Sequence, residues 1–257
     1  MNKNILNHNF VIGPCDTDSV SYCKQDMSPF TSEEIDNLLS EIKQLSPEFM
    51  EWEDDGYYDT CIVLRAKNYV LWDGKKKSIK GSAFKTSSKE IALKEMMEEM
   101  IDAMIFRKED QLTDIYHKYI KEALNVTNIS RWAQKKTITR AILDCASGPS
   151  RKNESNVWDA IKGEQDIQEG NKVLIYPVIL GKDVQAGRIS EKTGKPLKDK
   201  SKEITGLKLI KYWNDDQNCD KLIERVYDTV CIFEKVLDMN KFVNYGLVKN
   251  KKLLETL

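Results

Sequence analysis

The sequence predicts an α+β fold, antiparallel strands with helices first and a mainly helical part after. Three observations carry this. Short apolar runs separated by turn residues crowd the first 85 positions. Helical spacing of apolar residues then dominates from about residue 91 onward. The 257 residues suffice for one large domain or two modest ones. With 40% hydrophobic and 32% charged residues, the composition is ordinary for a globular chain.

Phe10–Gly13 is an apolar run ending in a Gly-Pro turn signal, and Val20–Tyr22 resumes a strand pattern. Between them stands Cys15-Asp16-Thr17-Asp18-Ser19, so a hairpin with an acidic tip is expected. Thr31 and Glu34 form a capping box ahead of Ile35, Leu38, Leu39, Ile42 and Leu45, which predicts a helix over 32–45. Pro47 ends it. Tyr57–Arg65 and Asn68–Trp72 are rich in β-formers, and Asp73-Gly74 is a hairpin-turn signal. Ile79–Phe84 is expected to pair back.

Ser87 and Glu90 predict a second capping box before Ile91, Met96, Met97, Met100, Ile101, Met104 and Ile105. The methionines suit either an adaptable groove or a plain core. A further helix is predicted over 109–124. Residues 128–152 hold Arg131, Lys135, Lys136, Arg140, Arg151 and Lys152 around Trp132, against one acid, Asp144. Lys172–Leu180 reads as a buried strand interrupted by Pro177. The polar stretch 187–206 predicts a mobile loop. Residues 218–239 predict a last helix.

The net charge of −1 conceals an asymmetry. Residues 1–59 hold three Lys and thirteen acids, while the rest holds 37 basic and 28 acidic residues. An acidic head beside a basic body suits a metal-binding corner next to a polyanion surface, or solvated faces patterned by chance. The six cysteines form no CxxC pair and stand at no zinc-finger spacing with His8 or His117, so reduced structural thiols are expected. No apolar run reaches the length of a membrane helix. Met1–Phe10 lacks the features of a secretory signal, so a cytoplasmic location is expected.

Asp16 and Asp18, at i and i+2 on a tight turn, can share a pair of hard divalent cations. Asp-x-Asp alone is common in surface turns. Its context is more specific. Asp16-Thr17-Asp18-Ser19 between an apolar strand and Val20-Ser21-Tyr22 resembles the third palm motif of family B DNA polymerases. Lys67-Asn68-Tyr69, on a strand before a hairpin, resembles that family's Lys-x-Tyr motif. Ile79-Lys80-Gly81-Ser-Ala-Phe-Lys85 resembles its Lys-Gly segment before the thumb. Arg151–Gly163 and Glu169–Pro177 resemble the thumb of viral members, and the bacteriophage branch is the one indicated.

The resemblance implies a partial palm over 1–87 and a duplex-binding thumb over 88–257. It implies template-directed nucleotidyl transfer with two Mg²⁺ ions held by Asp16 and Asp18, the catalytic carboxylates. Lys67, Tyr69, Lys80 and Lys85 are then contacts to primer–template DNA, joined by Arg131, Lys135 and Arg151 of the basic stretch. The plain alternatives are solvated lysines and a packed strand tyrosine. Glu53 and Asp55, on the strand approaching the Lys-x-Tyr hairpin, are expected as outer carboxylates or as a solvated acidic turn. Pro14-Cys15 departs from the family's usual Tyr-Gly. A dNTP is the expected substrate. A separate chain is expected to supply the exonuclease, the fingers and the first palm aspartate, and this chain alone is expected to be inactive. Two other readings are a non-catalytic duplex-DNA-binding module and a truncated, inactive polymerase remnant.

Overall fold

The structure, a computed structural model, describes residues 10–16, 19–82, 89–147, 152–184 and 201–245. The chain divides into two compact units. One is Met1–Lys85 with Ile232–Leu237, the other Thr86–Cys231 with Asp238–Leu257.

In the first unit β1 (Phe10–Asp16) and β2 (Ser19–Lys24) form an antiparallel hairpin. Ile12 faces Tyr22 and Cys15 faces Val20, so Gly13 and Pro14 together oppose Ser21. Two residues against one is a β-bulge, and an interrupted ladder is where a proline without an N–H fits. Phe10 and Tyr22 stack, and Phe30 meets both rings edge-on, with ring centroids 5.1–5.8 Å apart. Lys24 lies over the Phe30 ring and pairs with Glu34 at 2.8 Å. Glu34 also completes the capping box with Thr31 at the head of α1 (Ser32–Gln44). The Lys24 ammonium and then the Thr31 amide hold the Glu34 carboxyl below its ordinary range. This chain of contacts ties the hairpin to the helix start. Leu38 and Ile42 form the buried stripe of α1, while Leu45, its C-cap, is exposed.

β3 (Thr60–Arg65), β4 (Asn68–Trp72) and β5 (Lys77–Lys80) follow as an antiparallel sheet in that order. β4 is central, and Asn68, Tyr69, Val70 and Leu71 are all buried. The Asp73 carboxylate accepts from the Lys75 and Lys76 amides, closing the turn that Gly74 (φ +87°) permits. β3 begins at Thr60, later than expected, and β5 ends at Lys80; Phe84 lies outside the described residues.

The second unit holds α2 (Ile91–Ile105), α3 (Leu112–Leu124), α4 (Ile129–Trp132), β6 (Gln134–Thr137), α5 (Arg140–Leu143) and α6 (Lys152–Ile161). β7 (Lys172–Val184), β8 (Ser201–Leu209) and α7 (Cys219–Val230) complete it. Met96, Met97 and Met100 are buried, so three of the four methionines of α2 are core, while Met104 is half-buried. They share α2 with Leu93 and Ile101, while α3 contributes Tyr116 and Ile120 and α7 contributes Leu222 and Val226. A second cluster of Ile138, Ile142, Val157, Ile161, Ile175 and Leu209 joins helices to a three-stranded sheet ordered β6-β7-β8.

Three expectations change. Glu90 is itself the N-cap of α2 and makes no side-chain cap bond. Its buried carboxylate accepts from Arg225 Nη1 at 2.6 Å, a partner 135 residues away. Ser87 lies outside the described residues. Within the predicted loop 187–206, residues from Ser201 belong to β8, because the backbone of β7 offers a ladder that their polar composition does not advertise. Residues 185–200 lie outside the described set. The last helix stops at Val230, followed by a 3₁₀ turn over Cys231–Phe233, instead of reaching 239.

Pro177 stays inside β7, opposite Leu207. The N and C=O of one strand residue point the same way, and the Pro177 carbonyl accepts from the Asn218 amide at 2.8 Å. Its missing N–H therefore faces away from β8, on the side where β6 has already ended at Ile175.

Candidate catalytic hairpin and nucleic-acid interface

Asp16 ends β1 and stands in register with Ser19, the first residue of β2. Thr17 and Asp18, which join them, lie outside the described residues, as does the side chain of Asp16. Two carboxylates one residue apart form an oxygen donor set of the kind hard cations take. Among the described residues, no cluster of three or more His, Cys, Asp and Glu side chains is placed to hold a metal ion. Next to the tip, Pro14 occupies the bulge and Cys15 is exposed.

The Lys-x-Tyr and Lys-Gly segments meet at one corner of the β3–β5 sheet. Tyr69 pairs directly with Lys80 across β4 and β5. Lys67 sits in the β3–β4 turn with φ +60°, and the Asn68 amide donates to the Ala66 carbonyl at 3.0 Å. Gly81 has φ +107°, and a Cβ there would fall 2.5 Å from the Lys67 carbonyl oxygen and collide with the Asn68 amide. The corner therefore requires glycine for two separate reasons, conformation and space. Lys67 and Lys80 are exposed, whereas Tyr69 is 9% exposed and packed in the sheet. Lys85 lies outside the described residues.

Glu53 and Asp55 are exposed on the irregular segment 51–58, which precedes β3 and is not a strand. Their neighbour Asp54 acts on the hairpin through its charge. Burial first, and the Asp54 charge second, push the Tyr22 hydroxyl pKa upward. The sequence does not single out Asp54, because its effect on Tyr22 depends on where the segment folds.

In the second unit Arg131 is held between Glu122 at 2.8 Å and Glu95 at 2.8 Å. Those hydrogen bonds, Glu122 first and Glu95 next, push its pKa still higher. Its charge is thus balanced inside the unit. Lys135 and Lys136 are exposed on β6, and Thr137 pairs with the exposed Lys172 of β7. Lysines on an edge strand also discourage unwanted strand pairing. Arg151 lies outside the described residues.

The fold resembles part of a family B DNA polymerase. One solved structure it resembles is the family B DNA polymerase from the hyperthermophilic archaeon Pyrobaculum calidifontis, with a TM-score of 0.59 and 13% sequence identity. The likeness covers 92% of this chain and 28% of the polymerase chain. The α+β class, with antiparallel sheets and seven α-helices among the described residues, agrees with that portion. No protein-family model matches the sequence, and no curated protein does. The neighbour is archaeal and lends nothing to a bacteriophage branch. Among the described residues, no helix is long and apolar enough to cross a membrane.

Proposed function

We propose that this chain is the palm-tip and thumb portion of a family B-type DNA polymerase, contributing to template-directed nucleotidyl transfer onto primer–template DNA. One observation carries the reading. The Lys67–Tyr69 and Lys80–Gly81 segments converge at one sheet corner, on a chain whose fold resembles part of such an enzyme.

In this reading Asp16 and Asp18 hold two Mg²⁺ ions at the turn of the β1–β2 hairpin. When bound, the ions supply Lewis-acid activation of the primer hydroxyl and charge neutralisation at the leaving pyrophosphate. Lys67 and Tyr69 contact the minor groove and the primer end, while Lys80 and Lys85 hold the duplex through its phosphates, which positions DNA without reading its sequence. In this reading the exonuclease, the fingers, the first palm aspartate and the incoming-nucleotide site are supplied from outside these 257 residues. The bacteriophage branch and a cytoplasmic location belong to this same proposal.

The test is co-expression with a chain carrying those parts, followed by primer extension. Co-purification with extension is expected, and Asp18→Ala abolishes extension while leaving the assembly intact. Extension that survives Asp18→Ala removes the reading.

Exposed Lys135, Lys136 and Lys172 favour a second reading, a non-catalytic module that grips duplex DNA. It predicts binding that weakens steeply with salt and is indifferent to Mg²⁺ and to Asp16 and Asp18. A truncated, inactive remnant would neither extend a primer in any assembly nor bind duplex DNA.

A further inference from the structure

Between Lys43 and Arg65 the sequence holds six acids and no basic residue. Within that span, the turn that follows α1 carries large apolar side chains outward. Phe49 is 89% exposed, with Leu45 at 59%, Tyr57 at 57% and Met50 at 42%. A lone exposed apolar residue is unremarkable, but four large ones stand exposed within thirteen positions here.

The turn is braced. Trp52 Nε1 donates to Ser46 Oγ at 2.8 Å, and Ser46 Oγ donates to the Ile42 carbonyl at 2.8 Å, within the last turn of α1. The Met50 amide donates to the Pro47 carbonyl at 2.9 Å. Ser46 and Trp52 therefore close a short loop with Phe49 between them. A ring held out on a fixed loop loses little further freedom on binding, which is how anchor residues gain affinity.

We propose that residues 45–57 are a docking surface for a protein partner that presents an apolar face flanked by Lys or Arg. Phe49 is the anchor, and Glu48, Glu51, Glu53, Asp54 and Asp55 are the acidic surround. Charge complementarity selects this occupant. Nucleic acid and anionic lipid surfaces carry the same sign as the loop and are repelled by it. The proposal uses neither Asp16 and Asp18 nor the lysine corner, and it gives Glu53 and Asp55 a docking role in place of an outer-carboxylate one.

The experiment uses the full chain and a fluorescein-labelled, 15-residue amphipathic Leu/Lys helix as probe. Two control peptides are a sequence-scrambled version and a Leu/Glu version of the same apolar pattern. Fluorescence polarisation is expected to show binding of the Leu/Lys helix at least tenfold tighter than of either control. Phe49→Ala should weaken that binding about tenfold, with the thermal melt unchanged because the ring is outside the core. Glu51→Gln with Glu53→Gln should flatten its salt dependence. Equal affinity for the scrambled peptide, or no effect of Phe49→Ala, overturns the proposal. So does a concentration-dependent dimer in sedimentation that Phe49→Ala abolishes, because the occupant is then a second copy of this chain.

Discussion

Gly81 lies against Asn68 so closely that a methyl group at position 81 would overlap the Asn68 side-chain oxygen and the Lys67 carbonyl. Asn68 is 7% exposed and its amide is committed to the Ala66 carbonyl. The neighbour is backbone and a fixed amide, so it cannot yield as a flexible side chain would. Asn68 and Gly81, thirteen positions apart, thus share one corner because position 81 is a glycine.

Gly81→Ala should therefore destabilise the first unit by about 2–4 kcal/mol, combining backbone strain with the overlap. Gly56 supplies the comparison. Its φ is +109°, but a Cβ there meets nothing within 4 Å. Gly56→Ala should show the strain alone, about 1 kcal/mol. Urea unfolding of both variants measures the difference, and equal losses would mean that the close approach at Gly81 has no energetic weight.

The Glu90–Arg225 pair predicts asymmetric losses. The Glu90 side chain is 3% exposed and that of Arg225 is 24% exposed. Arg225→Met leaves a buried carboxylate without its partner and should cost about 3–5 kcal/mol. Glu90→Leu with Arg225→Met removes both charges and should recover most of that loss. A double-mutant cycle by chemical denaturation reads the coupling directly.

Arg131 and Lys135 should separate structure from binding. Arg131→Ala breaks two ion pairs and is expected to lower the melting temperature by several degrees. Lys135→Ala should leave the melt unchanged and reduce duplex-DNA affinity, with the salt slope falling by about one. The opposite pattern would assign DNA contact to Arg131 and a structural role to Lys135.

Burial, more than the opposing pull of Asp114, lowers the His117 pKa beneath its ordinary 6.5. The Tyr245 hydroxyl lies 3.3 Å from its Nε2. The folded state thus favours the neutral ring. This contribution to stability is complete above 6.5 and is lost as pH falls from there through the folded pKa. The chain has two histidines. In a proton NMR titration the resonance that remains in His8→Gln should have its midpoint below 6.5. His117→Asn should flatten the stability profile just below that pH.

The first hairpin, α1, the Asp73-Gly74 turn and the apolar faces of α2 and α3 were legible because each is a local pattern. A capping box, a turn dipeptide or a 3.6-residue stripe acts over a few positions. β8 was not legible from Ser201 to Gly206, since Ser, Lys, Glu and Gly there resemble loop residues until β7 lies beside them. Glu90 was misplaced for a related reason. It stands three residues after a serine, as a capping box requires, but its carboxylate is taken by Arg225. Arg131 looked like a free cation because Glu95 and Glu122 are distant in sequence.

By itself the sequence determined the α+β class, the order of the three motif segments and the turn chemistry that places Asp16 beside the β1–β2 tip. Tertiary structure alone decided that Gly81 meets Asn68, that Arg131 is balanced by two glutamates and that Phe49 is held outward. The reason is range. Backbone propensity and periodicity are written in neighbouring residues, whereas a charge or a cavity depends on atoms that only chain folding brings within a few ångströms.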